Sequence, residues 1–282
     1  MKAIISHTIL LVILFFACEI SFSQTKIPYG NNKESGNFIA INGVNHYYEI
    51  YGNGTPLLLI HGNGTGIKGW AAQIEFFRKK YRVYAIDCRG RGKSELGKDS
   101  LSFMQMANDM AVFIKEMKMD SVYIVGKSDG GIIAILMGIY YPERIKKIVA
   151  FGANIWADST AFFTETVKNC HDERVEAERM LEAGDTTKNW LVEQQRYRLD
   201  EFQPNISAAD LHKIKIPVLV MSCDRDLIRE EHTFFIYKNI PKANLSIFPN
   251  EIHGVPKLNP DLFNNTIDKY LSRPFQGHEK RF

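Results

Sequence analysis

Cysteine is scarce in this chain, with 4 in 282 residues, and no Cys-x-x-Cys pattern or Cys/His cluster occurs. The sequence therefore predicts neither a disulfide scaffold nor a metal site. Cys18 falls in an N-terminal apolar run that is predicted below to be removed with a signal peptide. Three cysteines then remain, Cys88, Cys170 and Cys223, and an odd number cannot all form disulfides. Cys88 and Cys223 lie near the ends of apolar runs and are expected to be small core residues.

A strong charge of one sign is also missing. The formal net charge is +3, and basic residues stand in isolated pairs such as Lys79-Lys80 and Lys146-Lys147. Such pairs are typical of solvated faces, so nucleic acid is not expected as a partner. The chain has no internal repeat or low-complexity tract. Its 45% hydrophobic and 24% charged residues fit a soluble globular protein with a sizeable core.

No apolar run is long enough to span a membrane. The longest, Ile9 to Cys18, follows the positive Lys2 and precedes the small residues of Ser21-Phe22-Ser23. A run of about ten residues suits the apolar region of a signal peptide, whereas a membrane helix needs about 18 or more. Residues 1–23 are therefore predicted to be a signal peptide. Cleavage before Gln24 would export the mature protein to the periplasm or the medium.

Two alternatives remain for this N-terminus. The segment could be retained as an anchor. The protein could instead be a lipoprotein acylated on Cys18 after Phe15-Phe16-Ala17, although Phe15 fits poorly where Leu is usual.

Beyond the predicted signal, residues 24–36 are polar and are predicted to be a flexible lead-in. A β-hairpin follows over Phe38 to Tyr51, because Asn42-Gly43 tolerates the positive φ angles of a tight turn. Apolar strand patterns then alternate with helical ones. The predicted strands are 57–60, 81–87, 122–125, 148–152, 218–221 and 246–248, and the predicted helices are 67–80, 103–117, 130–141 and a C-terminal helix after Asn259.

This alternation predicts an α/β fold, a mostly parallel eight-stranded sheet with helices on both faces. Residues 154–208 interrupt it with helical patterns and no strand. They are predicted to be an inserted helical cap between two parts of one core, residues 37–153 and 209–282.

The stretch Val125-Gly126-Lys127-Ser128-Asp129-Gly130-Gly131 contains Gly-x-Ser-x-Gly between a predicted strand and a predicted helix. A sharp turn there needs small neighbours in order to lift the serine hydroxyl above the sheet. Ser128 is therefore the candidate nucleophile. A glycine-rich strand-to-helix turn without catalysis is the alternative.

A serine hydroxyl needs a general base, and a carboxylate orients that base. The reactive groups of an open parallel sheet gather at the carboxyl ends of its strands. His253 follows the last predicted strand and is the candidate base. Asp224 and Asp226 follow the strand before it, and either could be the acid, with Asp158 a lesser candidate.

The oxyanion of an acyl-transfer reaction needs preorganised N–H donors. The backbone N–H of Asp129, directly after the serine, and that of Asn63, in the loop His61-Gly62-Asn63-Gly64, are the candidates. His61 itself is expected to be a structural hydrogen-bonding residue. The phosphate-binding Gly-x-x-x-x-Gly-Lys-Ser/Thr pattern is absent.

From about Phe38 to the C-terminal helix the chain resembles the α/β-hydrolase superfamily. The resemblance rests on the three candidate residues and on the stretches Leu57 to Gly62, Asp87 to Ser94, Tyr141 to Ile145 and Ile216 to Val220. In that family the second acid of a strand-end Asp-x-Asp serves the triad, which implies Asp226 rather than Asp224.

A narrower resemblance is to the biphenyl-hydrolase-like, or valacyclovir hydrolase, branch. It rests on Gly126-x-Ser128-Asp129-Gly130-Gly131 and on Gly152-Ala153-Asn154. In that branch the acid after the nucleophile binds the α-amino group of amino-acid esters, which implies the same role for the Asp129 carboxylate. Local hydrogen bonding by Asp129 is the alternative. The sequence departs from the branch at Lys127 and Ile252, and Lys127 is a possible counter-charge to Asp129.

The expected function is thus a serine esterase for a small ester, with the triad Ser128, His253 and Asp226, and the narrower resemblance implies an α-amino-acid ester. No metal or organic cofactor is expected. The rivals on the same triad are a C–C bond hydrolase, a thioesterase or a lactonase, and a catalytically silent binding protein is a further one. The residues expected to line an apolar pocket, unless they belong to the core, are Trp70, Trp156, Phe162 and Phe163.

Overall fold

The computed structural model describes residues 27–277. The predicted signal peptide, its cleavage before Gln24 and the acylation of Cys18 all lie outside the described residues. Within residues 27–277, no helix combines the length and the apolar character that a bilayer crossing requires.

A single eight-stranded sheet organises the described chain, in the order β1-β2-β4-β3-β5-β6-β7-β8. Strand β2 is antiparallel to both β1 and β4, and every other neighbouring pair is parallel. This confirms the predicted fold class. The strands are β1 (Gly36–Ile41), β2 (Val44–Tyr51), β3 (Thr55–Ile60), β4 (Tyr81–Ile86), β5 (Val122–Lys127), β6 (Ile145–Phe151), β7 (Val218–Arg225) and β8 (Ala243–Ile252).

Helices cover both faces of the sheet. The α-helices are α1 (Ala71–Phe77), α2 (Phe103–Glu116), α3 (Asp129–Tyr140), α4 (Thr164–Glu182), α5 (Trp190–Phe202), α6 (Ala208–Leu211), α7 (Glu230–Asn239), α8 (Val255–Leu258) and α9 (Pro260–Ser272). Two short 3-10 helices span Ile67–Trp70 and Pro142–Arg144. The helix predicted over 67–80 is thus split in two, and the last strand is longer than predicted.

The core lies in two layers because side chains alternate along each buried strand. On β3, Leu58 and Ile60 enter one apolar cluster, whereas Leu57 and Leu59 enter the other. All four are fully buried, as expected for a central parallel strand covered on both faces.

Helices α4 and α5, here called the cap helices, follow β6 and precede β7 in the chain, and they pack against each other. Ala177 is the buried residue of α4 and Leu199 that of α5. Apart from an isolated bridge between Phe162 and Ile228, the described residues 154–208 contain no strand pairing. The division of the chain into a core and a cap domain stays a prediction.

The described part of the lead-in, from residue 27 onward, makes hydrogen bonds to the core, and the flexibility of residues 24–36 stays a prediction. The buried carboxylate of Glu49 on β2 accepts hydrogen bonds from the backbone N–H groups of Gly30 and Asn32, both at 2.9 Å. The hydroxyls of Tyr47 and Tyr51 donate to the same carboxylate at 2.7 and 2.9 Å. A buried charge requires such partners, and a polar lead-in supplies two of them.

Candidate active site

Ser128 sits on the turn between β5 and α3, with φ 54° and ψ −120°. This conformation is costly for a residue with a side chain, and such strain is concentrated at functional sites. The turn is tight because glycines flank it: a Cβ on Gly126 would lie 2.0 Å from the Gly130 carbonyl oxygen, and one on Gly130 would lie 2.0 Å from that of Ile60. Neither position can take a side chain, so the motif is required by the backbone itself.

His253 follows β8, and its ring is fixed on two sides. Its Nδ1 lies 2.7 Å from Oδ1 of Asp226, and its ring stacks on Phe151 with centroids 5.7 Å apart. An ionised carboxylate only accepts hydrogen bonds, so Nδ1 carries the proton. This tautomer leaves Nε2 as a proton acceptor.

Asp226 is buried after β7 and is held by several donors. Its carboxylate accepts hydrogen bonds from the Ser222 hydroxyl at 3.1 Å and from the Leu227 backbone N–H at 2.7 Å. Burial alone would raise the pKa of Asp226, but the hydrogen bond from His253, with those from the Ile228 N–H and the Ser222 hydroxyl, lowers it. The group therefore remains a carboxylate.

The other two candidate acids face elsewhere. Asp224 is exposed and accepts a hydrogen bond from the Asn250 backbone N–H at 2.8 Å. Asp158 is exposed and accepts one from the Thr160 N–H at 2.9 Å. Asp224 thus links the end of β7 to β8, and Asp158 stabilises a local turn.

A cavity of about 270 Å³ lies above the carboxyl ends of the strands, beneath the cap helices. Ser128 and His253 lie together in its wall. The other lining residues are Gly62, Asn63, Thr65, Lys127, Asp129, Asn154, Phe162, Thr166, Cys170, Arg196, Asp200, Leu227 and Ile228.

The loop after β3 lies directly against the serine. A Cβ on Gly62 would come within 3.0 Å of the Ser128 Cβ, which places the next residue, Asn63, at the edge of the cavity. Asp129 is the first residue of α3, where a helix offers its N–H no internal partner. Both candidate oxyanion donors are therefore next to the serine.

His61 connects this loop to the loop after β4. Its Nε2 accepts a hydrogen bond from the Cys88 N–H at 2.9 Å, and its Nδ1 donates to the Gly62 carbonyl at 2.8 Å. Burial lowers the pKa of His61 to about 4, so the ring is neutral. Its role is structural, as the sequence indicated.

The Asp129 carboxylate is buried, and its cationic neighbour is not Lys127. Nη2 of Arg91 lies 3.6 Å from Oδ2 of Asp129, and the Arg91 side chain is itself buried. Burial raises the pKa of Asp129, and the positive charges of Arg91 and Arg196 oppose that rise. Lys127 is affected instead by burial, which lowers its pKa, and by the charge of Asp226.

The cap contributes a second acid to the cavity. Asp200 on α5 accepts a hydrogen bond at 2.5 Å from the side-chain amide of Asn63. Burial and the negative charge of Asp129 raise the pKa of Asp200 to about 8, against the effects of Arg91, Arg196 and the Asn63 bond. The two acids therefore share one polar region beside the serine.

Of the four aromatic residues expected in the pocket, Phe162 lines the cavity and the other three are corrected. Trp70 is fully buried in the core, where it packs against Phe263. Trp156 packs against Phe235 and donates its indole N–H to the Ile206 carbonyl at 3.1 Å. Phe163 is 44% exposed, with the Arg229 guanidinium over its ring.

Arg91, Arg196 and Asp200 were not among the residues predicted for the site. The sequence offered little to find Arg196 and Asp200, which stand four residues apart on a helix rich in charged residues. The cap has other charged pairs at that spacing, such as Arg174 and Glu178, which face away from the cavity. Within residues 27–277, no group of three or more His, Cys, Asp or Glu side chains is arranged to hold a metal ion.

Comparison with known proteins adds to this geometry. Residues 55–195, half of the chain, match the family model described as the alpha/beta hydrolase fold. Human serine hydrolase BPHL is 28% identical over 250 residues, covering 83% of this chain and 85% of that protein.

Two further proteins extend the comparison. A 2-hydroxy-6-oxononadienedioate/2-hydroxy-6-oxononatrienedioate hydrolase from Burkholderia vietnamiensis is 26% identical over 282 residues, covering 87% of this chain and 95% of that protein. A solved structure of a meta-cleavage product hydrolase from Pseudomonas fluorescens superposes with a TM-score of 0.71 at 22% identity. The match covers 86% of this chain and 99% of that one, and at this identity it shows a shared fold.

Proposed function

The chain belongs to the alpha/beta hydrolase fold family and is a hydrolase, and on that premise we propose that it is a serine esterase for small carboxylic esters. The observation that carries the proposal is the 2.7 Å contact between His253 Nδ1 and Asp226 Oδ1. The His253 side chain lines the same cavity as Ser128. Family membership indicates a hydrolase, and this contact supports a mechanism in which a serine is the nucleophile.

The first half-reaction forms an acyl-enzyme. Oγ of Ser128 attacks the ester carbonyl carbon while His253 Nε2 takes the hydroxyl proton. The backbone N–H groups of Asn63 and Asp129 donate hydrogen bonds to the oxyanion that forms. When the intermediate collapses, the C–O bond to the alcohol breaks and His253 returns the proton to the leaving alkoxide.

The second half-reaction is hydrolysis of the acyl-enzyme. His253 takes a proton from water, and the resulting hydroxide attacks the acyl carbon. The bond to Ser128 breaks as His253 returns the proton to Oγ, which releases the carboxylic acid. Throughout, Asp226 holds the ring tautomer and stabilises the transient imidazolium charge.

Active-site labelling tests this proposal. Intact protein treated with a fluorophosphonate should gain one adduct on Ser128, and Ser128→Ala should gain none. Ser128→Ala should also lose hydrolysis of p-nitrophenyl acetate by a factor on the order of 10⁴ to 10⁶. An unlabelled wild-type protein with an intact fold would exclude the serine mechanism and favour a binding protein.

The finer proposal is that the substrate carries an α-amino group near the scissile ester. Its support is the buried Asp129 carboxylate beside the serine, together with the resemblance to the biphenyl-hydrolase-like branch. An ammonium group would have to share that carboxylate with Arg91, which lies 3.6 Å away.

A substrate pair tests this finer proposal. We expect wild-type protein to hydrolyse an α-aminoacyl ester faster than its des-amino analogue, by a factor of about 10 or more, since a buried ionic contact is lost in the analogue. Asp129→Asn should remove the preference while retaining turnover of the analogue. A preference that is absent, or that survives the substitution, contradicts recognition of the amine by Asp129.

A second candidate is hydrolysis of a substrate that carries a carboxylate, including C–C bond hydrolysis. The specific observation in its favour is the Arg196 side chain in the cavity wall. The name of the Burkholderia relative denotes a dicarboxylate substrate of that protein, which agrees with such a cation. Faster turnover of a succinate monoester than of either neutral or cationic esters would favour this candidate. Thioester and lactone substrates belong in the same panel.

Export of the mature protein remains part of the proposal. Its support is the Ile9 to Cys18 run with the flanking residues described above. Expressed from its full sequence in a bacterial host, the protein should appear outside the cytoplasm with a mass that begins at Gln24. A mass that begins at an acylated Cys18 would favour the lipoprotein alternative instead.

A further inference from the structure

We infer that Arg196 and Asp200 of cap helix α5 are positioning residues for the reaction, because they hold the side chain of Asn63 and thereby fix its backbone N–H over Ser128. This inference rests on the proposed function, in which that N–H stabilises the oxyanion. It assigns a role in the chemistry to a helix that contributes none of the three triad residues.

The contacts of the Asn63 side chain carry the argument. Its Nδ2 donates to Oδ2 of Asp200 at 2.5 Å, and its Oδ1 accepts from Nε of Arg196 at 2.6 Å. Both ends of one amide are therefore bonded to one helix. Positions four residues apart face the same side of a helix, so a single face of α5 supplies both partners.

The loop around Asn63 needs such a restraint. Asn63 stands between Gly62 and Gly64, and Gly64 adopts φ +67°. Glycines lose the most conformational freedom on ordering, so they do little to fix the direction of the N–H between them. Between the two glycines, the side chain of Asn63 is what a neighbouring element can hold by hydrogen bonds.

The loop is also enclosed from both sides. A Cβ on Gly62 would lie 3.0 Å from the Ser128 Cβ below, and one on Gly64 would lie 2.8 Å from Arg196 Nη2 above. Arg196 is itself held by Glu193, whose carboxylate accepts from its Nη1 at 2.6 Å. Helix α5 thus holds the Asn63 side chain, and through it the Asn63 backbone N–H beside Ser128.

The core side adds a weaker contact to the same amide. Nη2 of Arg91 lies 3.4 Å from Asn63 Oδ1 and 3.6 Å from Asp129 Oδ2. Arg91 therefore links the two residues whose N–H groups form the proposed oxyanion site. The shorter contacts nevertheless come from the cap, which predicts that the cap substitutions have the larger effect.

Steady-state kinetics on a p-nitrophenyl ester tests the inference, with full-length mature protein throughout. Arg196→Leu and Asp200→Leu should each lower kcat by about 10- to 100-fold while KM changes by less than about threefold, because a displaced oxyanion donor acts on the transition state. Arg198→Leu is the matched control. It removes an arginine from the same helix whose side chain makes no hydrogen bond to Asn63, and its kcat should stay within about twofold of wild type.

A conservative variant separates positioning from folding. Asp200→Asn keeps an oxygen that accepts from the Asn63 amide, so kcat should return to within about threefold of wild type. Asn63→Ala keeps the backbone N–H but loses the grip, and it should resemble Asp200→Leu. The double variant Asn63→Ala with Asp200→Leu should be no slower than either single one, since both remove the same contact.

Three results would overturn the inference. They are an unchanged kcat in Arg196→Leu and Asp200→Leu, additive losses in the double variant, and a loss in Asp200→Leu that Asp200→Asn does not restore. A wild-type protein that neither labels with fluorophosphonate nor hydrolyses the ester would contradict the proposed function itself, and the inference would fail with it.

Discussion

The two walls of the cavity differ in how they are built. Helix α3, which begins beside Ser128, buries eleven of its twelve residues against the sheet. Cap helix α4 buries one of nineteen residues and α5 one of thirteen. The core wall is held by apolar packing, whereas the cap helices bury few residues and place the charged side chains of Arg196 and Asp200 in the cavity wall.

The acids of the two walls differ in the same way. Asp226, on the core side, has a lowered pKa because His253 and backbone donors outweigh its burial. Asp200, on the cap side, has a raised pKa because burial and the charge of Asp129 outweigh its partners. A buried carboxylate is stable when enough donors surround it, and the strand ends of the core supply more of them than the cap helix does.

The strongest test of the core wall exchanges its acid. Asp226→Asn should lower kcat by roughly 10⁴-fold, because an amide in place of the carboxylate no longer fixes the productive tautomer of His253. Asp224→Asn is the matched control, since Asp224 is exposed and contacts the Asn250 N–H. Its kcat should stay within about twofold of wild type. A larger loss of kcat in Asp224→Asn than in Asp226→Asn would contradict the choice of Asp226 as the acid.

A pair of leucines tests the difference in packing. Leu58→Ala, at a fully buried position of β3, should lower the free energy of unfolding by about 2–5 kcal/mol. Leu191→Ala, on α5 and 48% exposed, should change it by no more than about 0.5 kcal/mol. Denaturant unfolding of the two variants measures both. Equal losses would mean that the cap helices are as firmly packed as the core.

The smallest expected effect is on the pH dependence of stability. An acid whose pKa is raised on folding binds more protons in the folded state, so its contribution to stability falls as pH rises from about 4, the unfolded value, through about 8. Asp200→Asn removes this titration. Its melting temperature relative to wild type should therefore rise steadily between pH 5 and about 8 and then level off.

The opposite sign applies to Asp226. Its lowered pKa gives stability that is present above pH 4 and lost as pH falls through the folded value. A melting-temperature difference for Asp200→Asn that stays flat from pH 5 to 9 would contradict the raised pKa of the cap acid.

Much of the core wall was predictable from local sequence. The Gly126 and Gly130 motif and the alternating strands follow from rules that act over a few residues, and His253 is a candidate because it follows the last strand. The structure then brings His253 to Asp226 across 27 positions of sequence, as the parallel sheet requires. The choice of Asp226 over Asp224 came from the family resemblance, and the contact with His253 gives it a geometric basis.

The cap wall was not predictable in this way. Asn63 and Asp200 meet across 137 positions of sequence, and Arg196 reaches Asn63 across 133. No strand register or turn motif links these residues. Their meeting depends on how the cap helices lie over the loop after β3, which tertiary packing alone decides.

The sequence by itself therefore determined the α/β alternation, the strand-to-helix turn at Ser128 and the candidate residues of the proposed reaction, because periodicity and turn sterics are local. The tertiary structure decided which charged side chains lie near Ser128. Arg91 rather than Lys127 lies beside the Asp129 carboxylate, Trp70 belongs to the core, and α5 grips Asn63. These outcomes depend on long-range packing, which local periodicity and turn sterics do not determine.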